Sequence, residues 1–494
     1  MKLKQVVNGL VYELIQGEVE IDITGITSDS RKIDSGGLFV AVSGFAADGH
    51  QFISNAVING ASVVIVAKDD IVVAAHVTVL RVQNTRDALA RISTNYYGNL
   101  SERMNVIGVT GTNGKTSITF FLHSIFDKAG QPLGIIGTMG TVIGEKKSNN
   151  KNTTPESMDL QEMFSAMINS QVKDCVMEVS SHGLSLSRVA YTSFNTAIFT
   201  NLTPDHLELH HTMNNYFEAK AQLFGMTSDY NIINMDDPFG RVLIKRFRNA
   251  KAKMLTYGLR SIADIYAKDI VYHIDHSVYT LKTPKGSIEI KVNLPGEMYV
   301  YNSLAAISAA YCNEISLNQI KDGIEAVSKI QGRLEVVYED RDNRIIVDFA
   351  HTEDALEKTL KTIRPFTKGR IILVFGVYAD NSDEGAAKRK GMARVASKFA
   401  DISIITTDNP KEQDNEMIMQ DIERGMIFFN GLYKVVEDRR DAIHHAIHSS
   451  GTGDVIIIAG KGHESSQIIG KASIPFNDAE IVKQLITKRS SMSC

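Results

Sequence analysis

The chain alternates short runs that are apolar at nearly every position with longer amphipathic stretches. Residues 38–42, 61–67 and 77–82 read as strands, and 87–97 as a helix. The pattern returns at 106–110, 174–179 and 196–200, and again at 344–348, 370–375, 402–406 and 454–459. A strand without a polar face has no side for water, so helices between such strands predict parallel sheets covered on both faces. The expected fold class is α/β. In sheets of this kind, chemistry-bearing side chains lie just past the carboxyl ends of the strands.

One of those ends stands out. The run at 106–109 leads through Thr110-Gly111-Thr112-Asn113-Gly114-Lys115-Thr116-Ser117 into a helical pattern. Glycines let backbone amides close around phosphate oxygens, the helix N-terminus adds positive dipole, Lys115 supplies a cation and the Thr116 hydroxyl can reach Mg²⁺. Val109 replaces the usual first glycine, so this is a variant phosphate loop. A Gly-Lys-Thr triplet recurs by chance in loops; the strand before it and the helix after it select the phosphate-binding reading.

At 494 residues the chain exceeds one ordinary core, and length alone suggests about three domains. A net charge of −4 offers no general attraction to polyanions, so nucleic acid is excluded as the main partner. Cys175, Cys312 and Cys494 are far apart and odd in number, which fits a reducing compartment and neither a disulfide framework nor a zinc site. The start, Met1-Lys-Leu-Lys-Gln, has no signal-peptide core and no apolar run is long enough to span a bilayer; a cytoplasmic protein without membrane insertion is expected.

Further polar groups cluster at the predicted strand ends. Glu178 precedes Val179-Ser180-Ser181-His182-Gly183, and Asn201-Leu-Thr-Pro-Asp205-His206 follows the next strand. Carboxylate, hydroxyl and imidazole there suit a divalent ion bridging protein and triphosphate. Singly, each has a plainer reading: Ser180, Ser181 and Asp205 as helix caps, His206 as a hydrogen-bonded, partly buried side chain. Together, beside a phosphate loop, they point to metal.

These motifs, with Asn152-Thr-Thr-Pro-Glu156 and Tyr216-Phe-Glu-Ala-Lys-Ala221, resemble the Mur ligases, and among them the branch that builds a UDP-N-acetylmuramoyl-tripeptide. The likeness extends to Thr27-Ser-Asp-Ser-Arg31 and Asp48-Gly-His50, then to Gly332-Arg-Leu-Glu335, Asp348-Phe-Ala-His-Thr352, Asp408-Asn-Pro410, Asp438-Arg439 and Ala459-Gly-Lys-Gly-His-Glu464. It implies three domains: a uridine-nucleotide-binding domain over 1–102, a central P-loop ATPase-like domain over 103–331, and a Rossmann-like amino-acid-binding domain over 332–494.

The implied activity is that of an ATP- and Mg²⁺-dependent ligase, a monomer acting on UDP-N-acetylmuramoyl-L-alanyl-D-glutamate and a free amino acid in peptidoglycan synthesis. Gly111, Thr112, Asn113, Gly114, Lys115, Thr116, Ser117, Asn302, Arg333, His351, Asp438 and Arg439 would face ATP. Ser30, Thr153, Thr154, Ser180 and Arg188 would hold the UDP-linked dipeptide, and Asp408, Asn409, Lys411, Gly462 and Glu464 the amino acid. Lys115, Glu178, His206 and Lys220 would be catalytic, with Thr116, Glu178, His206 and Lys220 at the metal. Lys220 would carry a CO₂-derived carbamate (N6-carboxylysine), since an ammonium repels Mg²⁺ and a carbamate ligates it. The alternatives are an amide ligase of the same superfamily acting on another carboxylate, opposed by the uridine-side segment, and a non-catalytic nucleotide-binding paralogue, opposed by the intact Lys115, Thr116, Glu178, His206 and Lys220.

Departures from the family pattern gather around the third substrate. Members adding meso-diaminopimelate usually carry an arginine where Lys411 stands, and the expected Gly-Asp-Arg-Asp loop is replaced by Tyr378-Ala-Asp380-Asn-Ser-Asp383-Glu384. Lysine keeps the charge but loses the two-pronged geometry. The acidic loop favours a second amino group, so a diamino acid is expected, with L-lysine slightly ahead of meso-diaminopimelate; a merely solvated loop is the plainer reading.

Overall fold

The computed structural model describes residues 1–44, 47–260, 262–340 and 343–492; Cys494 lies outside them. Each predicted strand forms, within two residues of its expected bounds. Among the described residues three large sheets succeed one another along the chain, and a two-stranded one, Ser466–Ile469 with Ala472–Pro475, follows them. The first orders Glu13–Gln16, Thr78–Arg81, Ala61–Val66, Gly37–Val40 and Ile26–Thr27, parallel throughout except for Glu13–Gln16 at the edge.

The second sheet has eleven strands. At its heart Asn105–Thr110 lies between Asp174–Glu178 and Phe194–Phe199, parallel to both. Chain order therefore reverses around the strand that feeds the glycine-rich loop, and the crevice opened there is where α/β sheets take ligands. Antiparallel hairpins extend both edges, at Gly140–Ile143 with Lys146–Ser148 and at Ser277–Thr283 with Gly286–Val292. The third sheet orders Glu335–Glu339, Arg344–Asp348, Val455–Ala459, Ile371–Phe375, Ile402–Ile405 and Tyr433–Val435, only the first being antiparallel.

Packing follows from the apolar faces. Helix Lys115–Lys128 buries Ile118, Phe121, Leu122 and Ile125 against the central sheet. Helix Glu297–Cys312 is buried over most of its circumference, as an all-round apolar helix must be. One continuous apolar cluster joins Leu294 and Val300 to Ala350 and Leu360, so the third sheet is docked on the second rather than tethered to it. Cys175 and Cys312 are free thiols. Among the described residues no helix is long and apolar enough to cross a membrane.

Candidate active site

Strand Asn105–Thr110 turns directly into helix Lys115–Lys128, and two glycines make the turn. Gly111 (φ 147°) and Gly114 (φ 97°) lie where L-residues are strained, and a Cβ on them would sit 1.8 Å from Thr200 Oγ1 and 2.4 Å from Asn302 Oδ1. The neighbouring strand clamps the loop. Asn113 N donates to Asn201 Oδ1 (3.0 Å), while Thr200 Oγ1 (2.7 Å) and Asn201 Nδ2 (3.1 Å) donate to Asn113 O. Lys115 Nζ curls across the loop to Gly111 O (2.8 Å) and Thr112 O (2.9 Å). Burial lowers its pKa, against the pull of the Glu178 and Asp205 carboxylates.

Glu178 closes the adjacent strand and is only 1% exposed. Its Oε1 and Oε2 each accept from Thr116 Oγ1 at 3.1 Å, and Thr138 adds its N–H (3.0 Å) and hydroxyl (3.1 Å). Among the described residues no cationic side chain lies within ion-pair distance of it. A buried carboxylate surrounded by neutral donors fits a divalent cation that prefers oxygen. Lys220, also 1% exposed, poses the opposite problem: Nζ donates to Gly111 O at 2.9 Å and sits 4.5 Å from the centre of the Tyr216 ring, with no carboxylate in ion-pair range among the described residues. Burial and then the Lys115 charge push its pKa well below the ordinary lysine value. A neutral amine is the form that adds CO₂, so the environment fits carbamate formation.

A cleft of about 530 Å³ opens beside these groups, lined by Asn152, Thr153, Ser180, His182, Arg188, His206, Glu208 and Leu209. It unites Thr153, Ser180, Arg188 and His206 from the expected set. Thr154 lies behind it, donating to Glu178 O (2.9 Å) and Ser180 Oγ (3.0 Å), and Ser180 caps helix Ser181–Ser185 through Gly183 N. Arg188 is aimed by Thr154 O (3.1 Å) and by Glu156 (2.9 Å), which also meets Arg86 of the first domain at 3.3 Å.

His206 adopts a left-handed backbone (φ 53°), and its ring nitrogens lie 3.3 Å from Asp205 Oδ2 and 3.3 Å from Glu208 Oε1. His182, His206 and Glu208 bring one potential ligand atom each within 4.8 Å of the others. Burial, then the His206 charge, lowers the His182 pKa to about 4, leaving it neutral near pH 7 as a metal ligand requires. Asp205 is no helix cap: it is buried and takes a hydrogen bond from Lys388 of the third domain at 3.1 Å.

The third domain presents its own strand ends to this crevice. Arg333 Nη2 reaches Thr116 Oγ1 at 3.4 Å and its guanidinium stacks 4.3 Å from the centre of the Phe349 ring. His351, its pKa brought down to about 4 mainly by burial, bonds to Phe349 O through Nδ1. Farther along, Lys461 Nζ joins Asn409 Oδ1 (3.0 Å), Glu464 Oε2 (2.6 Å) and Ser466 O (2.8 Å), and Asn409 Nδ2 donates to Glu464 at 2.9 Å. Asp408 is buried beside them, Gly462 abuts Phe349, and Lys411 is exposed with φ 53°.

Other expected residues stand elsewhere. Ser30 belongs to a first-domain turn outside the cleft lining, its carbonyl bonded by Asn59 Nδ2. Asp438 is exposed and caps helix Arg439–Ser449. Arg439 points inward, paired through two hydrogen bonds of 2.8 Å with Asp478 and one of 3.0 Å to Ala459 O, with both side chains 0% exposed. The acidic loop is a helix start: Ser382 caps Asp383–Phe399, Asp383 and Glu384 occupy the first turn, and Asp380 Oδ1 bonds Ser382 N and Oγ. Those carboxylates serve the helix dipole, which removes the local argument for a lysine side chain.

Sequence reasoning missed Thr138, Glu208, Lys388 and Lys461 as site residues, and quoted His182 in the strand-end cluster without giving it a role of its own. Thr138 follows a strand end and Glu208 lies two residues from His206, so strand-end position and local spacing held a signal. Lys388 lies 183 residues from Asp205 and looks like any lysine on a helix.

Three family models match the chain: Mur ligase family, catalytic domain, over residues 22–97; Mur ligase middle domain over 109–310; and Mur ligase, glutamate ligase domain, over 332–462. The chain is 42% identical over 488 residues to the UDP-N-acetylmuramoyl-L-alanyl-D-glutamate–2,6-diaminopimelate ligase of Clostridioides difficile (99% of this chain, 100% of that one). It is 39% identical over 485 residues to the enzyme of the same name from Alkaliphilus metalliredigens (98% and 97% covered). A solved structure of a ligase of that name superposes with a TM-score of 0.69 at 30% identity, covering 99% of each chain.

Proposed function

This chain belongs to the Mur ligase family, and on that footing we propose that it joins 2,6-diaminopimelate to UDP-N-acetylmuramoyl-L-alanyl-D-glutamate at the expense of ATP. The observation that carries the proposal is the meeting of a phosphate loop, an unpaired buried carboxylate and a polar cleft at three adjacent strand ends. The choice of diaminopimelate over lysine rests on the relatives that share about 40% of the sequence and on the capping role of the acidic loop.

A carboxylate is a poor electrophile, because direct displacement by an amine would have to expel oxide. Transfer of the γ-phosphoryl of ATP to the terminal carboxylate of the dipeptide gives an acyl phosphate; the amine then attacks its carbonyl carbon and phosphate leaves. The protein's part is positioning and charge neutralisation. Lys115 leaves its two loop carbonyls for the phosphates, and the glycine turn and helix N-terminus hold them. Thr116 and Glu178 would hold Mg²⁺, with His206 and a carbamate on Lys220 as further ligands, and such an ion would supply positive charge against the phosphoryl oxygens. Thr153, Ser180 and Arg188 orient the dipeptide across the cleft. Asn409, Lys461 and Glu464 face the incoming amino acid, Glu464 suited to an ammonium and Lys411 to a carboxylate. UDP- and ATP-dependent chemistry of this kind belongs in the cytoplasm.

The test is competition among meso-diaminopimelate, L-lysine and L-ornithine at equal concentration, with the UDP-linked dipeptide, ATP and Mg²⁺, scored by product mass. The diaminopimelate adduct should dominate, and phosphate release should require the dipeptide. Predominance of the lysine adduct would reverse the amino-acid assignment, and equal phosphate release without dipeptide would remove the ligase reading.

A further inference from the structure

Among the described residues, one ion pair joins the third domain to the His206 side of the central domain. Lys388, on helix Asp383–Phe399, is largely buried, and its Nζ donates to Asp205 Oδ1 (3.1 Å) and Tyr378 OH (3.0 Å) while lying 4.2 Å from the centre of the Tyr378 ring. The other oxygen of Asp205 faces His206 Nε2 at 3.3 Å. A ligating histidine is held in tautomer and ring angle by a carboxylate on its second nitrogen; here that carboxylate is itself held by a lysine from another domain.

We propose that Lys388 is a positioning residue that couples docking of the third domain to the geometry of His206. Lys388 holds one oxygen of buried Asp205 and His206 faces the other, and of these two contacts the one from Lys388 leaves with the third domain. When docked, Lys388 fixes Asp205, the His206 Nε2–H donates to Asp205, and Nδ1 is turned to the side of Glu208. When undocked, Asp205 loses its anchor and can turn, and the imidazole loses its reference. A ligase whose metal-side histidine is ordered only with the amino-acid domain in place forms its acyl phosphate only when the acceptor can be presented.

The inference rests on His206 as a metal ligand, so His206→Ala comes first. It should lower Mn²⁺ affinity, read from the free-ion electron paramagnetic resonance signal of the full chain with ADP; unchanged affinity would overturn both readings. Lys388→Met should then weaken Mn²⁺ by about tenfold, as loss of an outer partner does, and lower kcat with little change in KM for the UDP-linked dipeptide. Lys388→Arg should restore most of both. Asp205→Asn should reproduce the loss, and the double variant should be no worse than either single one. Full Mn²⁺ affinity in a folded Lys388→Met, or losses that add in the double variant, would overturn the coupling while leaving His206 at the metal. Should Lys388→Met fail to fold, Lys388→Arg and Asp205→Asn decide it: wild-type affinity in Asp205→Asn overturns the proposal.

Discussion

Lys220 shows what the burial of a single amine costs the protein. Its amine is buried among backbone and ring atoms without an ion-pair partner among the described residues, and its pKa is driven far down. Wild-type stability should therefore carry a penalty. The sign follows from proton counting: above the unfolded lysine value near 10.5 both states are neutral and nothing is lost, whereas below it the unfolded chain binds a proton that the folded chain resists. Lys220→Met, compared with wild type in CO₂-free buffer, should be inactive yet more stable, its advantage growing as pH falls from 10.5 by about 1.4 kcal/mol per pH unit until the depressed pKa is reached. Denaturant titrations at pH 7, 8 and 9 measure this; an advantage independent of pH would contradict it. Composition and periodicity alone leave Lys220 as an ordinary helix lysine. Only the family resemblance singled it out, because burial is a property of the assembled fold. Glu178 was legible for the reverse reason: a carboxylate ending an apolar strand is conspicuous in the string itself.

At the scale of elements, strands were readable, caps only in part and orientations were not: Ser180 caps its helix, whereas Ser181 lies inside that helix and Asp205 caps none. Continuous apolar runs at 174–179 and 454–459 have one structural solution, so Asp174–Glu178 and Val455–Ala459 formed as expected. Asp438 and Arg439, in contrast, sit next to each other in sequence but face opposite ways, because one caps a helix and the other begins it. Arg439 ties helix Arg439–Ser449 to helix Asp478–Met492 through the fully buried pair with Asp478. Removing one partner of such a pair leaves a stranded charge, so Asp478→Ala should lose about 3–5 kcal/mol. Urea unfolding measures the loss, and KM for ATP should stay near wild type wherever the variant remains folded. A raised KM with unchanged stability would instead place Arg439 at the nucleotide.

At the scale of the molecule, three successive α/β units could be read from the alternation of runs, whereas their mutual docking could not, since it depends on pairs such as Asn113 with Asp354 (2.8 Å) and Lys388 with Asp205, which lie 241 and 183 residues apart. The parallel strand ends of the second sheet and those of the third meet at one crevice. Under the proposed function, activation and acceptor would therefore enter from different covalent blocks, joined near Gly332. A chimera carrying residues 1–331 of this chain and the third domain of a lysine-adding relative should retain dipeptide-dependent phosphate release and change its amino acid, read by product mass; retention of diaminopimelate would put the selectivity in the second sheet. Under that reading the amino acid added to the wall peptide could be exchanged by replacing the third block alone, with the nucleotide-handling block left as it stands.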